Sequence, residues 1–292
     1  MALAPLTPVT LGASRLGDRP DAEALADALV ASPLGHVDTS NNYADGRSEA
    51  LIGGAIARAG GLPAGSLVFS KADREPGTGV FDAARVRRSL EESLGRLGLD
   101  RLPLYQFHDP FTITVEEALA PGGPVEALIA LRDEGIIGAI GIAYGPLAET
   151  LAYVETGLFD VVLNHNRYTL VDRSAGTLYE RARAHGMQVF NAAPFGGGTL
   201  ANGEGTYGYR GMTEEFAAHV ERVRALAREA GVDLAAAALQ FSMRSPLVDT
   251  TVVGITSLQR LEALAGLVEA EIPEAFFDEV EAIGPPPASG TD

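Results

Sequence analysis

Short apolar runs alternate with longer amphipathic stretches along nearly the whole chain, and that alternation leaves few folds open. Residues 9–12, 36–40, 67–71, 104–108, 139–143, 160–164, 188–192 and 250–253 read as strands. Most are apolar on consecutive positions, as strands of a parallel sheet covered on both faces must be. Between them, residues 22–31, 49–59, 83–97, 125–134, 147–154, 176–185 and 214–230 carry apolar residues at helical spacing. A further helix over 234–243 precedes the last strand, and helices over 258–267 and 273–283 follow it. Eight strand-then-helix units with short connections predict one α/β domain, a (β/α)8 TIM barrel over residues 1–284. A doubly wound open sheet is the rival. It is disfavoured because no G-x-G-x-x-G follows the first strand. The 292 residues suit one barrel, and 46% hydrophobic content suffices to fill it. The end of the chain, 285–292, begins with three prolines and reads as a flexible polar tail.

Composition narrows the chemistry. A formal net charge of −17 repels a phosphate backbone, so nucleic acid is not an expected partner. The absence of cysteine removes disulfides, thiolate nucleophiles and cysteine-ligated zinc together. No segment approaches the roughly 20 consecutive apolar residues that a membrane helix needs. The first residues also lack the basic and apolar regions of a signal peptide, so the expected location is the cytoplasm.

Four polar residues stand at the C-terminal ends of consecutive predicted strands or in the loop that follows. Asp38 and Tyr43 belong to the second strand and its loop, Lys71 ends the third, and His108 ends the fourth. In a barrel those ends share one rim, where the side chains converge. A phenol titrates near pH 10 and exchanges its proton poorly at neutrality. A lysine ammonium beside it favours the phenolate, and a carboxylate fixes that lysine. An imidazole across the pocket orients a substrate oxygen. Such a set moves a proton on or off an alcohol oxygen and contains no nucleophile, so hydride must travel through a cofactor. Each residue alone has a plainer role: a turn for Asp38, packing for Tyr43, a surface position for Lys71 or His108. Four on one rim carry the argument.

The stretch 191–211 is glycine-rich, with Gly196-Gly197-Gly198, Gly203, Gly205, Gly208 and Gly211. It reads either as an exposed flexible loop or as a loop folding over a cofactor pyrophosphate, and its place after the seventh strand favours the second.

The run Asp38-Thr39-Ser40-Asn41-Asn42-Tyr43 with Gly46-Arg47-Ser48-Glu49 and Gly53, Phe69-Ser70-Lys71, and the segment from Leu97 to His108 resemble the aldo-keto reductase family. Glu134 to Gly141 and Val252 to Ser257 continue the likeness, which covers almost the entire chain in order. The resemblance implies Tyr43 as general acid/base, Lys71 as its activator, Asp38 as the lysine's partner and His108 as the residue orienting the carbonyl or carbinol. His108-Asp109-Pro110, Arg167 to Asp172 and Ala236 to Phe241 are similar to a narrower group of that family, the aldose, L-fucose, L-galactose and pyridoxal dehydrogenases. The substrate so implied is a small alcohol, aldose or aldehyde.

Several positions depart from the family pattern. Ala143-Tyr144 replaces a Ser-Asn pair, and Ala192 stands near the place of a stacking tyrosine. His165 or Asn166 is then expected to hold the nicotinamide carboxamide, with Tyr144 or Phe195 against its ring, and Gly196 and Gly198 at the pyrophosphate. Gly254, Thr256 and Ser257, leading into the helix of Arg260, offer backbone donors to an anion. Members that bind the NADP 2′-phosphate commonly carry Arg or Lys where Thr256 stands, so NAD is expected to be preferred over NADP. Two other readings stay open: a cofactor-binding regulatory subunit of this fold, and a metal-dependent hydrolase using His36, Asp38, His108, His165 and His185.

Overall fold

The computed structural model describes residues 5–203 and 205–290. Its centre is a closed barrel of eight parallel strands. These are β1 (Val9–Gly12), β2 (Gly35–Asp38), β3 (Val68–Ala72), β4 (Tyr105–His108), β5 (Ile140–Ala143), β6 (Val161–His165), β7 (Gln188–Ala192) and β8 (Thr250–Gly254). Neighbours follow chain order around the ring, and β1 closes against β8 with Val9 opposite Thr251. The expected (β/α)8 barrel is the observed one.

Period-two alternation sends every second side chain into the barrel. Phe69, Leu104, Ala139, Val161, Phe190 and Val252 pack there as a dry cluster. Nearer the C-terminal mouth the inward rows end in Gly12, Asp38, Lys71, His108, Ala143, His165, Ala192 and Gly254, which line a cavity. Apolar filling thus supports a polar rim. The outward side chains pack beneath the helices, where Leu25, Ile52, Val86, Leu128 and Leu178 belong to the large outer core.

The helix pair Arg47–Arg58 and Ala83–Leu97 braces the rim near Tyr43. The two approach closely because position 53 is glycine: a Cβ there would lie 2.0 Å from the Arg96 carbonyl oxygen. Glu49, in the first of these helices, is buried and accepts from Arg96 Nε at 2.8 Å and from Ser70 Oγ at 2.5 Å.

Three segments differ from the sequence reading. β2 ends at Asp38, so Thr39–Tyr43 is free to turn, and Ala44, Asp45 and Gly46 all take positive φ to return the chain. A short helix, Val115–Leu119, starts at a capping box made by Thr114 and Glu117; it is too short to show periodicity. The stretch after β7 is ordered into a 3-10 turn (Gly196–Gly198), a short helix (Thr199–Asn202) and a hairpin pairing Thr206–Tyr207 with Arg210–Gly211. Gly196 is needed there by a side chain: its Cβ would lie 2.2 Å from the ring of the buried Tyr207. The described part of the tail is not wholly solvated either, since Ser289 is 5% exposed.

Candidate active site

The cavity at the C-terminal mouth measures about 250 Å3 and brings together all four residues expected on one rim. β2 supplies Asp38, β3 Lys71 and β4 His108, while the turn after β2 swings Tyr43 back over them. Lys71 Nζ donates to Asp38 Oδ1 at 2.5 Å, to the Thr39 carbonyl at 2.7 Å and to Tyr43 Oη at 3.4 Å. Its three donors therefore have three acceptors, which a buried ammonium requires. Gln106, one inward step below His108, donates from Nε2 to Asp38 Oδ2 at 3.1 Å and holds the carboxylate from the other side.

Above this layer lies a second one. Asp73 Oδ1 is 2.7 Å from His108 Nδ1, and Asp73 Oδ2 accepts from the Ser40 hydroxyl and from the Asn42 amide at 3.1 Å. Nδ1–H donating to Asp73 leaves Nε2 as the ring nitrogen available to a ligand. The Tyr43 and His108 rings meet edge to face, 5.7 Å apart at 86°.

Electrostatics follow from this packing. Burial pushes the Tyr43 phenol up to about 12, outweighing the ammonium of Lys71, which pulls it down; Asp38 and Asp73 add to the rise. Burial works against the charge on Lys71, yet the Asp38 carboxylate and the Tyr43 oxygen hold the ammonium above the ordinary lysine range. The expectation that the ammonium of Lys71, fixed by Asp38, favours the phenolate is thus modified. Burial and the carboxylates overrule it, and the resting residue is a protonated phenol beside a cation. Burial likewise opposes charge on His108, but Asp73 raises the imidazole above its usual range, and the same pairing outweighs burial to hold the Asp73 carboxyl low.

The remaining expected residues divide. Ala143, Tyr144, His165 and Gly254 line the cavity, with Ala192 beside them. His165 sits deep in the protein yet is open to the cleft, and burial holds its imidazole below the ordinary value. Gly145 makes room for it, because a Cβ at that position would be 2.9 Å from the ring. Asn166 faces an adjoining groove, at positive φ, with a buried Oδ1 that has no hydrogen-bond partner. Phe195 lies between two hydrophobic clusters and not in the cavity wall, and Gly196 and Gly198 lie outside that wall as well. Thr256 is half-buried, Ser257 caps the helix Leu258–Glu269 by accepting from the Arg260 amide at 3.2 Å, and Arg260 is exposed. The two histidines cited for a metal site beyond this cavity are elsewhere: His36 meets Phe69 edge to face, and His185 approaches Glu155 at 3.3 Å. Among the described residues no group of three His, Asp or Glu is arranged around a metal position.

Asp73, Gln106, Ser40, Asp109 and Tyr209 were not singled out from the sequence. The first three had a signal. Each lies two residues from a chosen one: strand alternation puts Gln106 with His108 inside β4, whereas Ser40 and Asp73 stand just past the ends of β2 and β3, next to the same rim. Tyr209 had none, because it stands at the tip of the hairpin and reaches the cavity only through that fold.

A nicotinamide cofactor fits this mouth. Positions 12, 143, 192 and 254 in its lining are glycine or alanine, the space where a Gly254 Cβ would stand is open, and the buried Asn166 Oδ1 beside the adjoining groove lacks a partner.

A profile of the aldo/keto reductase family matches residues 8–285, and the chain belongs to that family of NAD(P)-dependent oxidoreductases. Among characterised proteins it is similar to a D-threo-aldose 1-dehydrogenase of Pseudomonas sp, 34% identical over 68% of this chain and 62% of that one. An L-galactose dehydrogenase of Arabidopsis thaliana is 30% identical over 94% of this chain and 89% of its own length. A pyridoxal 4-dehydrogenase of Microbacterium luteolum is 28% identical over 96% and 94%. The solved structure of the aldo-keto reductase AKR11C1 from Bacillus halodurans, in its holo form, superposes with a TM-score of 0.76 at 22% identity, covering 96% of both chains; this likeness concerns the fold.

Proposed function

We propose that the protein oxidises the anomeric carbon of an aldose to the lactone, with NAD as hydride acceptor. The observation that carries this reading is the line Asp38–Lys71–Tyr43, an ion pair ending on a phenol at the open mouth of the barrel. Tyr43 Oη exchanges the proton of the anomeric hydroxyl. In the oxidation that oxygen takes the proton up as phenolate, formed beforehand by loss of the phenol proton to solvent; Lys71 stabilises this phenolate, and Asp38 with Gln106 keeps Lys71 in place. His108, tied through Nδ1 to Asp73, directs Nε2 at the same substrate oxygen. The bound nicotinamide supplies the hydride acceptor.

His165 and Asn166 would hold its carboxamide, Tyr144 or Tyr209 would lie against its ring, and the turn Gly254–Ser257 would meet its pyrophosphate. NAD is favoured over NADP because Thr256 brings no cation to a 2′-phosphate. The lining by hydroxyl, imidazole and carboxylate groups suits a polyhydroxylated substrate, and two of the similar proteins are named for aldoses.

The test is a panel of aldoses followed by nicotinamide absorbance, with Tyr43→Phe as control. An aldose should be oxidised with NAD at a higher kcat/KM than with NADP. The variant should lose at least about 100-fold in kcat, the low end for a general acid/base, while binding NADH nearly as before. Wild-type turnover by the variant would end the assignment.

A further inference from the structure

Asp109 follows His108 and lines the same cavity, yet it has no part in the proton path described above. Its backbone is in the left-handed region at φ 43 and is firmly held there. The amide donates to the Ala143 carbonyl at 3.1 Å, and the carbonyl accepts from Arg74 Nη1 at 3.1 Å and from the Phe111 amide at 2.7 Å. The side chain is held by nothing comparable. Among the described residues its carboxylate accepts no hydrogen bond, and it stands with Oδ2 3.7 Å from His108 Nε2, 34% exposed. A left-handed turn alone does not explain an aspartate, since glycine or asparagine adopts that conformation as readily. What aspartate adds is a negative, acceptor-only group one oxygen's width from the nitrogen that orients the substrate.

We infer that Asp109 is the specificity-determining residue of this site: its carboxylate accepts a hydrogen bond from the hydroxyl on the carbon next to the reacting one. A substrate oxygen shared by Tyr43 Oη and His108 Nε2 brings the neighbouring substituent alongside Asp109 Oδ2. A hydroxyl there satisfies the carboxylate. A methylene leaves it facing apolar matter, and a carboxylate or phosphate is repelled. A hydrogen bond to a charged group is worth about 10- to 100-fold in discrimination, and this one is open enough to solvent to stay within that range.

This inference rests on the reading of the cavity as a carbonyl–carbinol site and deepens it, but it does not need the substrate to be an aldose. The test uses reduction of two aldehydes that differ by one group, lactaldehyde with an α-hydroxyl and propionaldehyde without. Wild-type protein should prefer lactaldehyde by about 10- to 100-fold in kcat/KM, expressed mainly in KM. Asp109→Gly, which the left-handed backbone accommodates, should bring the ratio to near one. Asp109→Asn, which keeps the shape and loses the charge, should fall between, and it decides the matter if the glycine variant fails to fold. A wild type that does not discriminate, or variants that keep the preference, would overturn the inference. Discrimination that persists while no aldose is oxidised would sink the aldose reading alone; turnover of neither aldehyde would overturn the inference, while the aldose panel decides the aldose reading by itself.

Discussion

The most telling residue is Tyr43, because its surroundings pull in opposite directions. Burial holds the phenol near 12 although a lysine ammonium stands 3.4 Å away, so the proton is on the oxygen at neutral pH. Reduction consumes that phenol, whereas oxidation consumes the phenolate. The rate of oxidation should therefore climb steadily as pH rises from about 7 towards about 10, the ordinary phenol value, while reduction stays level over the same interval. Lys71→Met removes the chief influence lowering the phenol, which should push the oxidation limb further alkaline and cut its rate. The same change leaves Asp38 buried without its partner, which should cost about 3–5 kcal/mol in stability. Rate–pH profiles and denaturant unfolding of both proteins measure the two effects. An oxidation rate flat with pH in the wild type would contradict this account of the phenol.

At the scale of elements, the site depends on how closely the helices Arg47–Arg58 and Ala83–Leu97 pack behind it. Gly53 and Gly95 make a matched pair for testing this. A Cβ on Gly53 would collide with the Arg96 backbone at 2.0 Å, while one on Gly95 would meet nothing within 4 Å. Gly53→Ala should destabilise by about 1–3 kcal/mol or more through overpacking. Gly95→Ala should stabilise by about 0.5–1 kcal/mol through helix propensity. Denaturant midpoints of the two variants check the contrast, and equal effects would refute the close-approach argument. The strands and long helices could be read from the sequence because burial on both faces and helical periodicity repeat over many residues. Asp38, Lys71 and His108, read at strand ends, line one cavity in the structure. What escaped was set by contacts distant in sequence. Asp73 and Gln106 gain their meaning only from partners on neighbouring strands, and Gly196 after β7 makes room for the Tyr207 ring. The helix Val115–Leu119 escaped because five residues cannot display a period.

For the whole molecule, the mouth is the place where ligand binding and folding meet. The cavity-lining Gly12, Ala143, Ala192 and Gly254 belong to four strands, β1, β5, β7 and β8, so a cofactor bound against them would brace the closed barrel from within. Binding to the folded state alone stabilises by about 2.7 kcal/mol at a ligand concentration 100 times Kd. NAD should accordingly raise Tm more than NADP at equal concentration, by differential scanning fluorimetry. A larger shift with NADP would overturn the preference argued from Thr256.

The ion pair at the rim also matters before any substrate arrives. Lys71, Asp38 and Gln106 come from three adjacent strands and satisfy one another only in the observed register. A slip of β3 by a single position would turn the lysine outward beneath the helices and abandon a lone negative charge inside the wall. Ring closure is therefore proofread by the very groups that later move the proton, and a variant that spoils turnover at these positions should also widen the choice of misassembled states open to the nascent chain.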